Sequence, residues 1–334
     1  MRLPRIKGEG AAYYHIMSRV IDGAFLLNDE EKERFCKLMR KAEAFSGVEI
    51  LTHTTLDNHW HIHLLIPPPG ELSDGEFLER VGHLYAPRVV SMLAAELKQL
   101  RTRGDEIGVD RLRARYTYRM HDVSEFVKTL KQRFTQSYNA RHKRKGTLWE
   151  DRFKSLLIEE GTGTTLATIA AYIDLNCVRA GIVEDPKDYR FCGYAEALAG
   201  DESARRGIQR LMRIMGRKED WSRAACAYRE WLYVRGAQTG GSRRLGFSPE
   251  KVQQVIETGG TLSYAELGRC RVRYFTDGAV LGSKLYIQDV LNRHRHRFKV
   301  QRSLGAQQTR GLPLEDLHTL RRMLAQPVGI PNSS

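Results

Sequence analysis

Apolar and polar positions alternate most cleanly over His59-Trp60-His61-Ile62-His63-Leu64-Leu65-Ile66. A period of two marks an extended chain, so His59, His61 and His63 point to one face and the Trp60, Ile62, Leu64 and Ile66 run fits a buried sheet. Tyr13–Val20 reads as an earlier strand and Val48–Thr55 as the immediate neighbour. Two strands so close in sequence form an antiparallel hairpin. Between the first two, Asn28 or Asp29 caps a helix whose Phe35, Leu38, Met39 and Ala42 form one apolar stripe.

Residues 71–120 read as charged helices with Leu78, Val81, Leu84, Val90, Leu93 and Leu97 at apolar positions. The spacing predicts a further helix capped by Ser124, with Phe126, Val127, Leu130 and Phe134 inward and Lys128, Lys131 and Arg133 on its other face. The pattern turns extended again over 147–158. Thr164 or Thr165 then caps a helix from Leu166 to a stop at Gly181. On its wheel Thr168, Asn176 and Arg179 fall within about 40° of Tyr172, beside an apolar arc of Leu166, Ile169, Ala170, Ile173 and Cys177 at about 60–160°.

The elements predict an α+β fold, an antiparallel sheet flanked by helices over residues 1–200, with an additional helical C-terminal region. Residues 201–240 read as a helical connector around Trp221 and Trp231, closed by a linker over Gly236–Gly241. Residues 241–334 read as a basic helical domain, with helix starts at Ser248-Pro249-Glu250, Ser263 and Ser283 and a last helix running through Tyr286, Val290 and Leu291 to Arg297. That pattern suits a helix-turn-helix-like unit or a dimerisation appendage.

Charge adds the first functional clue. The 334 residues carry a formal net charge of +14, and residues 240–334 hold 15 Lys and Arg against 7 Asp and Glu. A basic surface of this strength points to nucleic acid as partner. Five scattered cysteines with no C-x-x-C spacing argue for reduced thiols and against a zinc finger. With no apolar run of membrane length and no leader-like start, the expected location is cytoplasmic, nucleoid-associated.

The histidine face adds candidate chemistry. Imidazoles at i and i+2 start roughly 6.6 Å apart and can converge on one ion. Asn58-His59-Trp60-His61, Gly146-Thr147-Leu148-Trp149-Glu150-Asp151-Arg152-Phe153-Lys154-Ser155 and Tyr172-Ile173-Asp174-Leu175-Asn176-Cys177-Val178-Arg179-Ala180-Gly181 occur in that order. Together they resemble the single-tyrosine HUH transposases, in particular the REP-associated tyrosine transposases, over roughly residues 13–197.

The resemblance implies a histidine pair on a central strand and a tyrosine on a helix beside it. It makes His59, His61 and Asn176 ligands of a Mg²⁺ or Mn²⁺ ion and Tyr172 the nucleophile. The substrate it implies is single-stranded or hairpin DNA, cleaved and rejoined through a 5′-phosphotyrosine ester, and it admits a homodimer. Lys128, Lys131, Arg133, Arg152, Lys154 and Arg179 are the expected DNA contacts. Cys177 stands where the family has proline, and the helical insertion over 70–120 exceeds that of compact members. His63 has no counterpart in the motif and is open to a role as spare ligand or DNA contact. Tyr138, Tyr189 and Tyr194 are rival nucleophiles. A domesticated DNA-binding protein without turnover and a metal-dependent hydrolase of another class are the competing readings.

Overall fold

The computed structural model describes residues 6–8, 10–161, 163–216, 220–237, 246–257, 280–282, 284–295, 307–308 and 318–320. The protein is α+β. Strands β1 (Ala12–Arg19), β2 (Glu49–Thr55) and β3 (His59–Ile66) form where alternation predicts them, and β4 (Lys154–Ile158) follows Trp149. The hairpin β2–β3 is antiparallel, β1 lies on the other side of β3, and β4 pairs antiparallel with β1. Short strands β5 (Val280–Gly282), β6 (Gln307–Gln308) and β7 (His318–Leu320) extend the sheet to the order β2-β3-β1-β4-β5-β7-β6, with β5 parallel to β4.

Alternation decides which layer covers each face. Trp60, Ile62 and Leu64 meet Phe35 and Met39 of α1 (Asp29–Ser46) and Phe126, Leu130 and Phe134 of α5 (Val123–Arg141). Leu65, Tyr13 and Leu156 meet α6 (Gly163–Asp174) on the opposite face. The insertion folds as α2 (Asp74–Gly82), α3 (Pro87–Thr102) and α4 (Glu106–Thr117), which bury Phe77, Val81, Leu97 and Leu112 together with Phe45.

Several expectations are corrected. Asn28 caps α1, but α5 is capped by Asp122, whose carboxylate accepts from the amides of Ser124 and Glu125, rather than by Ser124. A carboxylate also complements the positive end of the helix dipole. The Tyr172 helix begins at Gly163 and ends at Asp174; after Leu175 a short turn, α7 (Asn176–Arg179), leads to Gly181 at φ +70°. Nor is α6 exposed on one side. Leu166, Ala167, Ile169, Ala170, Ala171 and Ile173 are all fully buried because a second layer closes over it. That layer is α8 (Gly193–Ala199), α9 (Glu202–Ile214) and α10 (Trp221–Gly236), whose Ile208, Leu211, Tyr228, Trp231 and Leu232 belong to the same core. Residues 202–236, expected as a connector, are therefore core: their apolar stripes find a partner in α6.

In the C-terminal region α11 (Pro249–Ile256) and α12 (Lys284–Arg293) match the expected helices. The strands β5–β7 are too short for alternation to reveal. The helix starts at Ser263 and Ser283, linker residues 238–241 and the basic end at 296–297 lie outside the described residues. Among the described residues no helix is long and apolar enough to cross a membrane.

Candidate active site

The face of β3 beneath α6 carries His59, His61 and His63, and strand pairing sets Arg19, Met17 and His15 of β1 opposite them in turn. The rings of His59 and His61 lie 5.1 Å apart, nearly perpendicular. His15 stacks on His61 at 5.1 Å, and its Nε2 lies 2.9 Å from His61 Nδ1. The ring of Tyr172 stands edge-on to both, with centroids 5.8 Å from His61 and 6.0 Å from His15. The Arg179 guanidinium sits 5.0 Å from the centre of the Tyr172 ring, and its Nη1 donates to the Tyr172 carbonyl at 3.2 Å.

The histidines are electrostatically poised as neutral bases. Burial, helped by the positive charge of Arg19, pushes His59 down to about 4. Burial holds His61 well below the ordinary imidazole range, with His15 and His59 adding repulsion. At neutral pH each ring keeps one lone-pair nitrogen. For His59 that nitrogen is Nε2. Asn58 donates Nδ2 to Gly23 O at 3.1 Å, so its Oδ1, 2.6 Å from His59 Nδ1, must accept from the ring.

The end of α6 is tied down from several sides. Thr54 Oγ1 donates to Ile173 O at 2.6 Å, and Thr52 Oγ1 donates to Asp174 Oδ1 at 2.8 Å. Asp174, fully buried, also accepts from Tyr228 Oη at 2.6 Å and from the Tyr194 amide at 3.2 Å. Burial nevertheless lifts its carboxyl to about 6, against the pull of these hydrogen bonds. Asn176 Nδ2 donates to the carbonyls of Tyr172 and Ile173 at 3.0 and 3.2 Å. Cys177, at the family's proline position, donates its thiol to Asp174 O at 3.2 Å. These groups serve helix-end carbonyls around the break at Leu175.

The expected site residues divide. His59, His61 and Tyr172 come together, with Arg179 against Tyr172. Asn176 follows one turn later. Lys154 is exposed on the same sheet face as Leu156 and Ile158, opposite Met17. Lys128, Lys131 and Arg152 line a different groove of about 710 Å³ beside α5, together with Trp149 and Phe153. There Lys128 pairs with Glu125 at 3.1 Å and Lys131 donates to Ser18 Oγ and Asp151 O, each at 2.9 Å. Arg133 turns away, donating to Leu84 O at 2.9 Å and lying over the Tyr85 ring.

The rival tyrosines, buried as Tyr172 is, are occupied elsewhere: Tyr138 donates its hydroxyl to Leu26 O at 3.4 Å, Tyr189 donates to Thr55 O at 2.7 Å, and the Tyr194 ring packs on Tyr228 at 5.8 Å. His63 is 0% exposed with neither ring nitrogen hydrogen-bonded among the described residues, which rules out a surface DNA contact in this arrangement. Burial pushes it down to about 3. His15 is the residue that sequence reasoning missed; its one signal is a single histidine in the apolar strand Tyr13–Val20. Among the described residues no three His, Cys, Asp or Glu side chains cluster as a metal site, so an ion here needs a ligand of another type beside the histidine pair.

No family model and no curated protein matches the chain. Among solved structures, one described as the REP-associated tyrosine transposase bound to a REP hairpin is similar at a TM-score of 0.39 and 14% identity, over 60% of this chain and 87% of that one. A likeness this distant carries no inference about the chain.

Proposed function

We propose that the protein cleaves and rejoins single-stranded DNA, with Tyr172 as nucleophile and His59 and His61 as the core of a divalent-ion site. The observation that carries this reading is the contact of Tyr172 with one member of the histidine pair: the ring edge of a helix tyrosine meets His61 at 5.8 Å, far from it in sequence. DNA as the substrate class is supported by the +14 charge and by the family motifs.

Two imidazole nitrogens and one amide oxygen would hold a divalent ion, the amide oxygen being the donor suited to Mg²⁺ or Mn²⁺. His59 offers Nε2, because its Nδ1 donates to Asn58. His61 meets His15 through Nδ1, which leaves Nε2 for a ligand when the Nδ1 proton is shared with His15. The amide oxygen of Asn176 would be the third protein ligand, since its Nδ2 is turned to backbone carbonyls. A bound Mg²⁺ or Mn²⁺ would polarise the scissile phosphate and offset charge in the transition state.

The remaining work falls to the protein. Tyr172 Oη attacks phosphorus and gives up its proton to solvent, forming the phosphotyrosine ester as the bond to the 3′ oxygen breaks and that oxygen takes up a proton in turn. Arg179, over the tyrosine ring, offsets negative charge building on the phenolic oxygen. The ester retains the bond's free energy, so a second 3′ hydroxyl reseals the strand without ATP. Lys154 and Arg179 would steady the flanking phosphates.

Incubating the protein with end-labelled hairpin DNA and Mn²⁺ tests the reading. A covalent adduct should form, map to Tyr172, and vanish in Tyr172→Phe while hairpin affinity survives. An adduct on Tyr138, Tyr189 or Tyr194 overturns the assignment of the nucleophile. No adduct on any tyrosine removes the mechanism and favours DNA binding without turnover.

A further inference from the structure

Beside His59 stands a cation that the sequence motifs do not mark. Register pairs Arg19, the last residue of β1, with His59, the first of β3, so both side chains leave the same face of the sheet. The chain after β1 then turns sharply through Asp22 and Gly23, both left-handed at φ 56° and 64°. The Arg19 guanidinium lies against Gly23, where a Cβ would stand 2.6 Å from its Nη2 and 3.0 Å from its Nε. Gly23 O also accepts from the Asn58 side chain that orients His59. One turn thus seats both the ring of His59 and the cation next to it.

Little offsets the charge of Arg19. Its side chain is 55% exposed, and the one carboxylate within its reach among the described residues, Glu150, stands off at 4.0 Å. The Glu150 amide donates to Arg19 O at 3.0 Å, which fixes the arginine backbone and leaves its head group facing solvent.

The places of Tyr172 and Arg19 give the reaction a direction. Tyr172 stands edge-on to His61 and His15, and His15 pairs across the strands with His63. The tyrosine therefore lies toward the His63 side of His61, and Arg19 lies toward the opposite side, at His59. Displacement at phosphorus proceeds in line, with the incoming and departing oxygens on opposite sides of the phosphorus atom. A phosphodiester held over the histidine pair and attacked from the Tyr172 side expels its 3′ oxygen toward Arg19. We propose that Arg19 is a catalytic residue that stabilises the departing 3′ oxygen and receives the 3′ hydroxyl when the strand is resealed.

The inference rests on the DNA-cleavage reading and supplies its leaving side. In the step the bond from Tyr172 Oη to phosphorus forms and the bond from phosphorus to the 3′ oxygen breaks. The electron pair of the broken bond stays on the 3′ oxygen, which takes a proton from water. Arg19 keeps its own proton, because a guanidinium does not ionise near neutral pH, so it offsets charge and is not the acid.

A hairpin with sulfur in place of the bridging 3′ oxygen at the cleaved position tests the assignment. A thiol ionises at about pH 8.5 and water only at about 15.7, so a departing thiolate needs little help. Adduct formation is timed at saturating DNA in Mn²⁺, on the oxygen and sulfur hairpins, with wild type, Arg19→Gln, Arg19→Lys and Arg179→Gln. On oxygen Arg19→Gln should slow the step about 100-fold, as removal of one charge-stabilising group does. On sulfur most of that loss should disappear. Arg19→Lys, which keeps the charge, should outpace Arg19→Gln on oxygen, and Arg179→Gln should slow both substrates alike. Arg19→Gln should melt as wild type does and bind Mn²⁺ no more weakly by calorimetry. An equal loss on both substrates, with the wild-type adduct intact, overturns this assignment alone. A fall in Mn²⁺ affinity overturns it too, since Arg19 would then support the metal site. Sulfur rescue of Arg179→Gln instead of Arg19→Gln reverses the two sides and overturns it likewise. An adduct missing from wild type on both substrates removes the cleavage reading and this assignment with it.

Discussion

Asp174 gives the sharpest physical test of how the tyrosine helix is held. Its carboxyl is fully buried and lifted from 3.8 to about 6, chiefly by desolvation. Between those values the folded protein keeps a proton that the unfolded chain has released. Unfolding free energy therefore falls as pH rises through this window: the contribution is fully present below about 4 and gone above about 6. A gap of about two pH units amounts to about 3 kcal/mol. Other acids, such as Glu196, held low by His53 and Arg40 despite burial, slope the opposite way, so total stability does not isolate the effect. Asp174→Asn does, because the amide mimics the protonated acid in shape and charge. Denaturant unfolding of both proteins at pH 4, 5, 6 and 7 should show the wild type losing about 3 kcal/mol relative to the variant over that range. A difference that stays flat, or that runs the other way, refutes the reasoning. Asp174→Ala should differ from both, since it strands the hydroxyls of Thr52 and Tyr228 at every pH.

Two further predictions concern the site's supports. His15→Phe keeps the stack on His61 but removes its hydrogen-bond partner, so Mn²⁺ affinity by calorimetry should fall about 10- to 100-fold with the fold retained. Unchanged affinity would show that His15 merely fills space. Thr54→Val removes the tie to the Ile173 carbonyl and should destabilise by about 1 kcal/mol while slowing adduct formation; a variant as fast as wild type would mean that β2 does not position Tyr172.

Much of this arrangement was legible in the sequence because the sheet has a period of two and one buried face. Alternation alone put His59 and His61 together, and three ordered motifs pointed to Tyr172. What was hidden depended on which elements meet. His15 reaches His61 only through the β1–β3 register, which no local pattern encodes. The wheel of α6 suggested an exposed side, because covering by α10 is a tertiary event; the Trp231 indole even reaches back to donate to Ala167 O at 2.9 Å. Arg133 looked like a phosphate contact on its helix face but serves the α2–α4 layer, where Tyr85 and the Leu84 carbonyl receive it.

Helix α9 sits so close to β2 that a Cβ on Gly207 would meet Leu51 O at 2.4 Å, and this seat bears on how the chain is made. The outer strand is sheltered by groups on both sides of it in sequence: Glu43 accepts from the Ile50 amide at 2.7 Å, and Phe191 O accepts from the Thr55 amide at 3.0 Å. Glu43 emerges from the ribosome before the strand, but Phe191 and α9 emerge well over a hundred residues after it. Throughout that interval the nascent sheet exposes a ladder of unpaired carbonyls able to recruit the same strand of a neighbouring chain on a polysome. Synthesis thus passes through a sticky stage that only the arrival of α9 ends. A gene cut off near codon 200 would make that stage permanent.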